Sequence, residues 1–223
     1  MKRSLFALLL FLVPLVVFAD VRSIGGNEEK YSDSKNPVAA KLYNDGCNAI
    51  YKDNNPVEAI TLFTKALELD PNYVKALDNL GTCYRRTGDF DKAIDCYKKS
   101  IAIFPNGSFA HTNLALIYQM QKKTVLAVEE YKVVNRLNPS DPEGFYGLGN
   151  TYLNSGDYTA AIANAKEAVR LYQVSKNSLL GDGEELLATA YMANGNNTEA
   201  RSWATKAAQH KPEISADLKK LLK

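Results

Sequence analysis

Residues 74–107 read VKALDNLGTCYRRTGDFDKAIDCYKKSIAIFPNG, and this stretch decides the fold. Leu77, Leu80 and Tyr84 stand at i, i+3 and i+7, which places them on one stripe of a helix. Ala93, Ile94, Tyr97, Ile101 and Phe104 make a second stripe at helical spacing. Between them, Gly88 suits the left-handed turn that ends a helix, and Asp89 suits the N-cap of the next. Pro105 cannot continue the second helix. The stretch therefore predicts two antiparallel helices joined by a tight turn. Gly81 and Ala93 lack bulk, so the helices are expected to approach closely where those two residues face each other.

Leu77, Leu80-Gly81, Tyr84, Ala93, Tyr97 and Pro105 together stand in the spacing of the tetratricopeptide repeat, which the stretch resembles. The pattern recurs at about thirty-four residues, the period of that family. Residues 40–73 form a first unit with Tyr43, Cys47, Ile50, Ala59, Phe63, Ala66 and Pro71, and Cys47 takes the column of Gly81. Asn54-Asn55-Pro56 is its turn. Residues 108–141 form a third unit with His111, Leu114-Ala115, Tyr118, Ala127, Tyr131 and Pro139. Residues 142–175 form a fourth, with Phe145, Leu148-Gly149, Tyr152, Ala161 and Ala168. In that unit Ala165 replaces the second-helix aromatic and Gln173 the closing proline, so its second helix is expected to run on. After residues 176–180, a fifth unit spans 181–214 with Leu187-Ala188, Tyr191, Gly195, Ala200, Ala207 and Pro212. Its Gly181-Asp182-Gly183-Glu184 start predicts a first helix that begins late. Ile214, Leu218, Leu221 and Leu222 make one stripe in the tail, and residues 215–223 are expected to cap the last hydrophobic seam. The fold the resemblance implies is all-α: a right-handed α-solenoid of five helix-turn-helix repeats plus a C-terminal capping helix, over residues 39–223.

Residues 1–19 follow a different logic. Lys2 and Arg3 precede an apolar run broken only by Pro14, and Val17-Phe18-Ala19 precedes Asp20, the pattern of a secretory signal peptide. The competing reading is an uncleaved membrane anchor, although a spanning helix needs about 20 apolar residues. Residues 20–38 are polar and without a helical stripe, and are expected to be a flexible leader. The protein is thus expected to be exported, periplasmic or secreted, with membrane contact only through a retained signal.

The chain carries 27 basic and 25 acidic side chains. Without Lys2 and Arg3 the two signs balance, which excludes the basic excess a nucleic-acid partner calls for. The two histidines, His111 and His210, lie in different units. No phosphate loop, metal-ligand spacing or nucleophile motif accompanies them. The sequence points to a protein that is not an enzyme and needs no cofactor or metal. His111 reads as a packing residue at an interhelical seam. Cys47, Cys83 and Cys96 read as three structural thiols, with a bridge between Cys83 and Cys96 as the alternative.

In repeat solenoids the first helices of successive units line the concave face. The resemblance then places Asn48, Lys75, Asn79, Arg86, Phe109, Asn113, Met120, Tyr146 and Asn150 in a groove that takes a protein or an extended peptide. An amide both donates and accepts, so Asn48, Asn79, Asn113 and Asn150 suit a peptide backbone of any sequence. Phe109, Met120 and Tyr146 suit an apolar anchor. Asn79 and Asn113 share one first-helix column in adjacent central units, so they are expected to matter most for binding, and their loss is expected not to unfold the domain because groove residues are exposed. Lys75, Arg85 and Arg86 lie toward one end, and Glu143, Asp182 and Glu185 toward the other, which predicts a ligand polarised in charge. One subfamily of these repeats binds chaperone C-terminal carboxylates through a Lys/Asn/Asn/Lys/Arg clamp. Asn48 and Asn79 match two of its columns, while Asn44, Phe109 and Asn113 replace its three cations. The functional expectation is an exported scaffold for protein or peptide docking, with a structural subunit of an envelope or secretion assembly, or a small-ligand carrier, as alternatives.

Overall fold

The computed structural model describes residues 31–223, so the expected signal peptide over residues 1–19 and the leader to residue 30 lie outside the described residues. Eleven helices and no strand occur among the described residues. They are α1 (Pro37–Tyr51), α2 (Pro56–Leu69), α3 (Val74–Thr87), α4 (Phe90–Ile103), α5 (Ser108–Met120), α6 (Thr124–Leu137), α7 (Pro142–Ser155), α8 (Tyr158–Ser175), α9 (Leu180–Ala193), α10 (Asn197–His210) and α11 (Ala216–Leu222). Each odd helix pairs with the even helix that follows, and each pair stacks on the next, giving a five-hairpin solenoid closed by α11.

Local chemistry sets the helix ends. Asp89, Asp157 and Asn196 accept from the backbone N–H of the third helical residue, which satisfies one of the orphan donors at a helix start. Pro37, Pro56 and Pro142 occupy first-turn positions, where the missing N–H costs nothing. Gly88, at φ 84°, turns the chain from α3 into α4 through the left-handed region that a side chain disfavours. No proline stops α8, which continues for 18 residues to Ser175.

The core repeats with the helices. Ala59, Ala93, Ala127 and Ala161 recur about every thirty-four residues and are fully buried, as are Phe63 and Tyr97 in the next column, where Tyr131 is nearly so. Gly81 faces Tyr97 rather than Ala93: a Cβ on Gly81 would lie 2.8 Å from that ring. The bulky aromatic of α4 fills the space that the glycine leaves on α3. In the first unit the corresponding glycine is Gly46, whose Cβ would lie 2.7 Å from Phe63, and not Cys47 as the spacing suggested. The turn between α1 and α2 is one residue longer, with Asn54 at φ 49°, so the register of α1 slips by one. Ala165 lets α8 and α7 approach: a Cβ on Gly149 would sit 3.4 Å from the Ala165 backbone nitrogen.

Three further expectations change. Helix α1 begins at Pro37 rather than near residue 40, because Asn36 Oδ1 accepts from the Val38 and Ala39 backbone N–H groups. Helix α9 begins at Leu180 and does not start late. Gly181 and Gly183 are buried inside it, the first against His210 and Lys211, the second with its Cβ position 2.9 Å from Tyr172. The glycines permit close contact with α10 and α8 instead of delaying the helix. Finally, the leader is not free throughout, since residues 31–36 are tied to α2 and α3.

At the far end, Leu218 of α11 is fully buried beside Ala204, Ala207 and Ile214, so the apolar face of the last hairpin is covered. Lys211 donates to Asp182 and Glu185, each at 2.7 Å, and Glu185 accepts from the Ser215 backbone N–H. Cys47, Cys83 and Cys96 are all free. No described helix is long and apolar enough to cross a membrane.

Candidate functional site

Helices α1, α3, α5, α7 and α9 touch one another in succession across the units, so they form one continuous wall of the stack. The nine residues expected in the groove all lie on these odd helices, but the structure uses them differently.

Asn79 is buried and already committed. Its Oδ1 accepts from the Tyr51 hydroxyl at 3.1 Å, and its Nδ2 donates to the Tyr43 hydroxyl at 3.0 Å and toward Cys47 Sγ at 3.7 Å. Asn113 is also buried, and its Nδ2 donates at 2.9 Å to the Phe109 carbonyl of its own helix. The premise that both are exposed groove amides therefore fails. The wall helices lie close enough for tyrosines of one unit to reach over the asparagine of the next. With the slip in α1, the Asn79 column falls on Asn44 and not on Asn48. Asn44 stands two residues before Gly46, as Asn79 stands two before Gly81, and both Asn44 and Asn48 are more open than Asn79.

The remaining residues are more open. Arg86 is exposed, with its guanidinium carbon 5.7 Å from the Tyr51 ring centroid, a cation–π distance. Met120 is exposed at the end of α5, and half-buried Phe109 meets Tyr97 edge-on at 6.5 Å. Tyr146 meets Tyr172 edge-on at 6.3 Å. Burial raises the Tyr146 pKa, and a hydrogen bond with Asn150, one turn along α7, opposes that rise. Lys75 is paired, its Nζ 3.0 Å from Asp33 Oδ1.

The charge asymmetry is weaker than the sequence suggested. Lys211 pairs with both Asp182 and Glu185 and offsets one of their two charges, and Glu143 accepts from the Tyr172 hydroxyl at 2.9 Å. Burial pushes the Glu143 carboxyl above the usual range. His111 lies at a seam as expected, its Nδ1 2.6 Å from Glu130 Oε2 on α6.

Sequence reasoning missed three features. Asp78 is buried between α3 and α4, and desolvation pushes its carboxyl up to about 7, against the opposing pull of the Ser100 and Tyr31 hydroxyls. Its Oδ1 has no hydrogen-bond partner among the described residues. Asp78 stands about 100° around the helix from Leu77, off the apolar stripe, so spacing along α3 gave no signal of its burial. Second, Tyr43 and Tyr51 act across units, which spacing along one helix does not reveal. Third, Arg85 Nε and Gln119 Nε2 are buried donors with no hydrogen-bond partner among the described residues. The Tyr131 hydroxyl reaches Gln119 Oε1 at 3.5 Å, while the Arg85 guanidinium interacts with the Tyr97 hydroxyl and its charge also acts on Tyr131. Among the described residues no group of three or more His, Cys, Asp or Glu side chains is placed to hold a metal ion.

Comparison with known proteins bears on the whole repeat region. Tetratricopeptide repeat profiles match residues 39–106, 96–129, 126–176 and 146–213. The peroxisomal targeting signal receptor of Candida albicans is 28% identical over 118 residues, 51% of this chain and 20% of the receptor. Hsp70-Hsp90 organizing protein 3 of Arabidopsis thaliana is 21% identical over 160 residues, 70% of this chain and 28% of that protein. The chain therefore spans less than a third of the length of either relative. A crystal structure of a thermophilic TPR protein from Thermus thermophilus superposes with a TM-score of 0.63 at 22% identity, covering 81% of this chain and 95% of that one. That likeness concerns the fold alone. With repeat profiles matching from residue 39 to residue 213 and five hairpins in succession, this chain belongs to the tetratricopeptide repeat family.

Proposed function

We propose that this chain is a scaffold that docks an extended segment of a protein partner on the wall formed by α1, α3, α5, α7 and α9. The observation that carries the reading is the pair of buried, unpartnered donors, Arg85 Nε and Gln119 Nε2, on neighbouring wall helices beside Tyr97 and Tyr131. A buried donor without an acceptor costs about 1–3 kcal/mol, and a carbonyl from an incoming backbone removes that cost once the Arg85 and Gln119 side chains turn outward to meet it. Phe109, Met120 and Tyr146 offer apolar contact nearby, while Asn48, Arg86 and Asn150 offer polar contact along the wall; Lys75 serves only after releasing Asp33. Asn79 and Asn113 act behind this surface, shaping it. The names of the two relatives, a targeting signal receptor and an organizer of Hsp70 and Hsp90, fit a role in engaging other proteins. The reading includes no catalysis and no cofactor.

The test is panning of a random peptide library on the purified chain, followed by calorimetric titration of an enriched peptide. Arg85→Ala and Gln119→Ala are each expected to weaken binding about two- to tenfold, the worth of one hydrogen bond, with an unchanged circular dichroism spectrum. No enriched motif, or unchanged affinity in both variants, overturns the reading.

We also propose, from residues 1–19, that the protein is exported and released from its signal, into a periplasm or secretory pathway. Intact mass of the exported protein tests this. A chain beginning at Asp20 supports it, and a membrane fraction retaining Met1 shows an anchor instead.

A further inference from the structure

The described end of the leader lies against the first two units, and each of its contacts uses a different chemistry. Ser34 Oγ donates to Asp70 Oδ2 at 2.5 Å, at the corner between α2 and α3, and accepts from the Asn36 backbone N–H at 3.1 Å. Asp33 Oδ1 accepts from Lys75 Nζ at 3.0 Å and from the Tyr73 hydroxyl at 3.3 Å. The Tyr31 ring lies 5.5 Å from the Phe104 ring at the end of α4, with Lys75 Nζ 5.7 Å from its centroid. Its hydroxyl faces Asp78. An aromatic side chain, an acid two residues on and a hydroxyl after that are thus read by side chains from α3, from the end of α4 and from the corner that joins α2 to α3.

The strengths of these contacts are unequal. The Asp33 side chain is largely solvent-exposed, so its ion pair alone holds the segment weakly. The Tyr31 ring, seated between Phe104 and the Lys75 ammonium, supplies the buried contact. Weak contacts persist here because the leader is tethered to α1 through Asn36, which raises its local concentration far above that of a free peptide. The same arithmetic makes the leader displaceable by a longer or better-fitting segment.

We infer that the surface made by Asp70, Tyr73, Lys75, Asp78 and Phe104 is a recognition site for segments of the form aromatic-x-acid-Ser, and that Tyr31-Ser32-Asp33-Ser34 fills it in cis. A partner segment of that chemistry then reaches the first two units only by displacing the leader. This rests on the docking wall proposed above for its consequence, but not for its measurement.

The experiment uses a fluorescein-labelled peptide of residues 31–36, Tyr-Ser-Asp-Ser-Lys-Asn, titrated by anisotropy with the full chain and with its Tyr31→Ala/Asp33→Ala variant. The variant is expected to bind the peptide saturably, and the native chain at least about tenfold more weakly because its own leader competes. Adding Lys75→Ala to the variant is expected to weaken binding several-fold, with circular dichroism confirming the fold. No binding to the variant, or equal binding to both chains, overturns the inference. A native dimer that dissociates in the Tyr31→Ala/Asp33→Ala variant overturns it too, by placing the leader on a second copy. Failure of the docking wall itself shows separately, as an absence of enriched peptides in the library experiment.

Discussion

The Tyr51 hydroxyl, at the end of α1, donates to Asn79 Oδ1 in the middle of α3 across 3.1 Å, and so stitches the first unit to the second. The asparagine returns a bond to Tyr43 from its other end. One amide, itself buried, therefore joins two part-buried tyrosines of the neighbouring unit at this seam.

Asn79→Ala is expected to act on stability as much as on binding. It leaves two part-buried tyrosine hydroxyls without this partner, and each hydrogen bond lost is worth about 0.5–1.5 kcal/mol. Urea unfolding followed by circular dichroism should show a lower midpoint. An unchanged midpoint would mean that water replaces the amide freely.

Gly81→Ala and Gly88→Ala separate two reasons for a glycine. At Gly81 the new methyl meets the Tyr97 ring at 2.8 Å, and overpacking of this kind costs about 1–3 kcal/mol. At Gly88 nothing stands within 4 Å, and the cost comes from φ 84° alone, about 1–2 kcal/mol. Truncating the ring in the Tyr97→Leu background should relieve Gly81→Ala and leave Gly88→Ala unchanged. Thermal melts of the single and double variants decide this.

Stability should fall as pH rises through the window set by Asp78. Its folded pKa of about 7 lies above the model-peptide value of 3.8, so between the two the folded state holds a proton that the unfolded state has lost. Raising the pH through this range favours unfolding, by up to about 1.4 kcal/mol per pH unit. Glu143, raised by burial, contributes with the same sign. Subtracting the unfolding free energies of Asp78→Asn from those of the native chain at pH values of about 3.3, 5.5 and 7.5, which bracket that window, isolates the Asp78 share. Parallel pH profiles would show that the carboxyl is not held protonated.

The thiols should be quiet in the folded chain. Burial pushes Cys83 up to about 12 and Cys96 up to about 11, so little of either exists as the reactive thiolate near neutral pH. Ellman's reagent is expected to titrate them slowly until denaturant is added, and then to find all three cysteines. Fewer than three thiols in the unfolded, unreduced protein would reveal a disulfide.

Stripes at helical spacing, caps such as Asp89 and Asp157, the left-handed Gly88 and the stop at Pro105 are local signals. They determined five hairpins and the covering role of Leu218 without reference to a neighbour. The candidate site was less legible, because helical spacing gives the angle of a residue about its own axis but not what reaches it from the next helix. Tertiary structure alone decided that Asn79 and Asn113 are spent behind the wall, and that Arg85 and Gln119 carry the unpartnered donors. It also decided the register of α1, where one extra turn residue rotates every side chain by about 100° relative to its expected column and brings Gly46 under Phe63. The polar leader gave no periodic signal at all. Its place against Lys75, Asp78 and Phe104 depends on side chains brought together only when α3 and α4 fold back on each other.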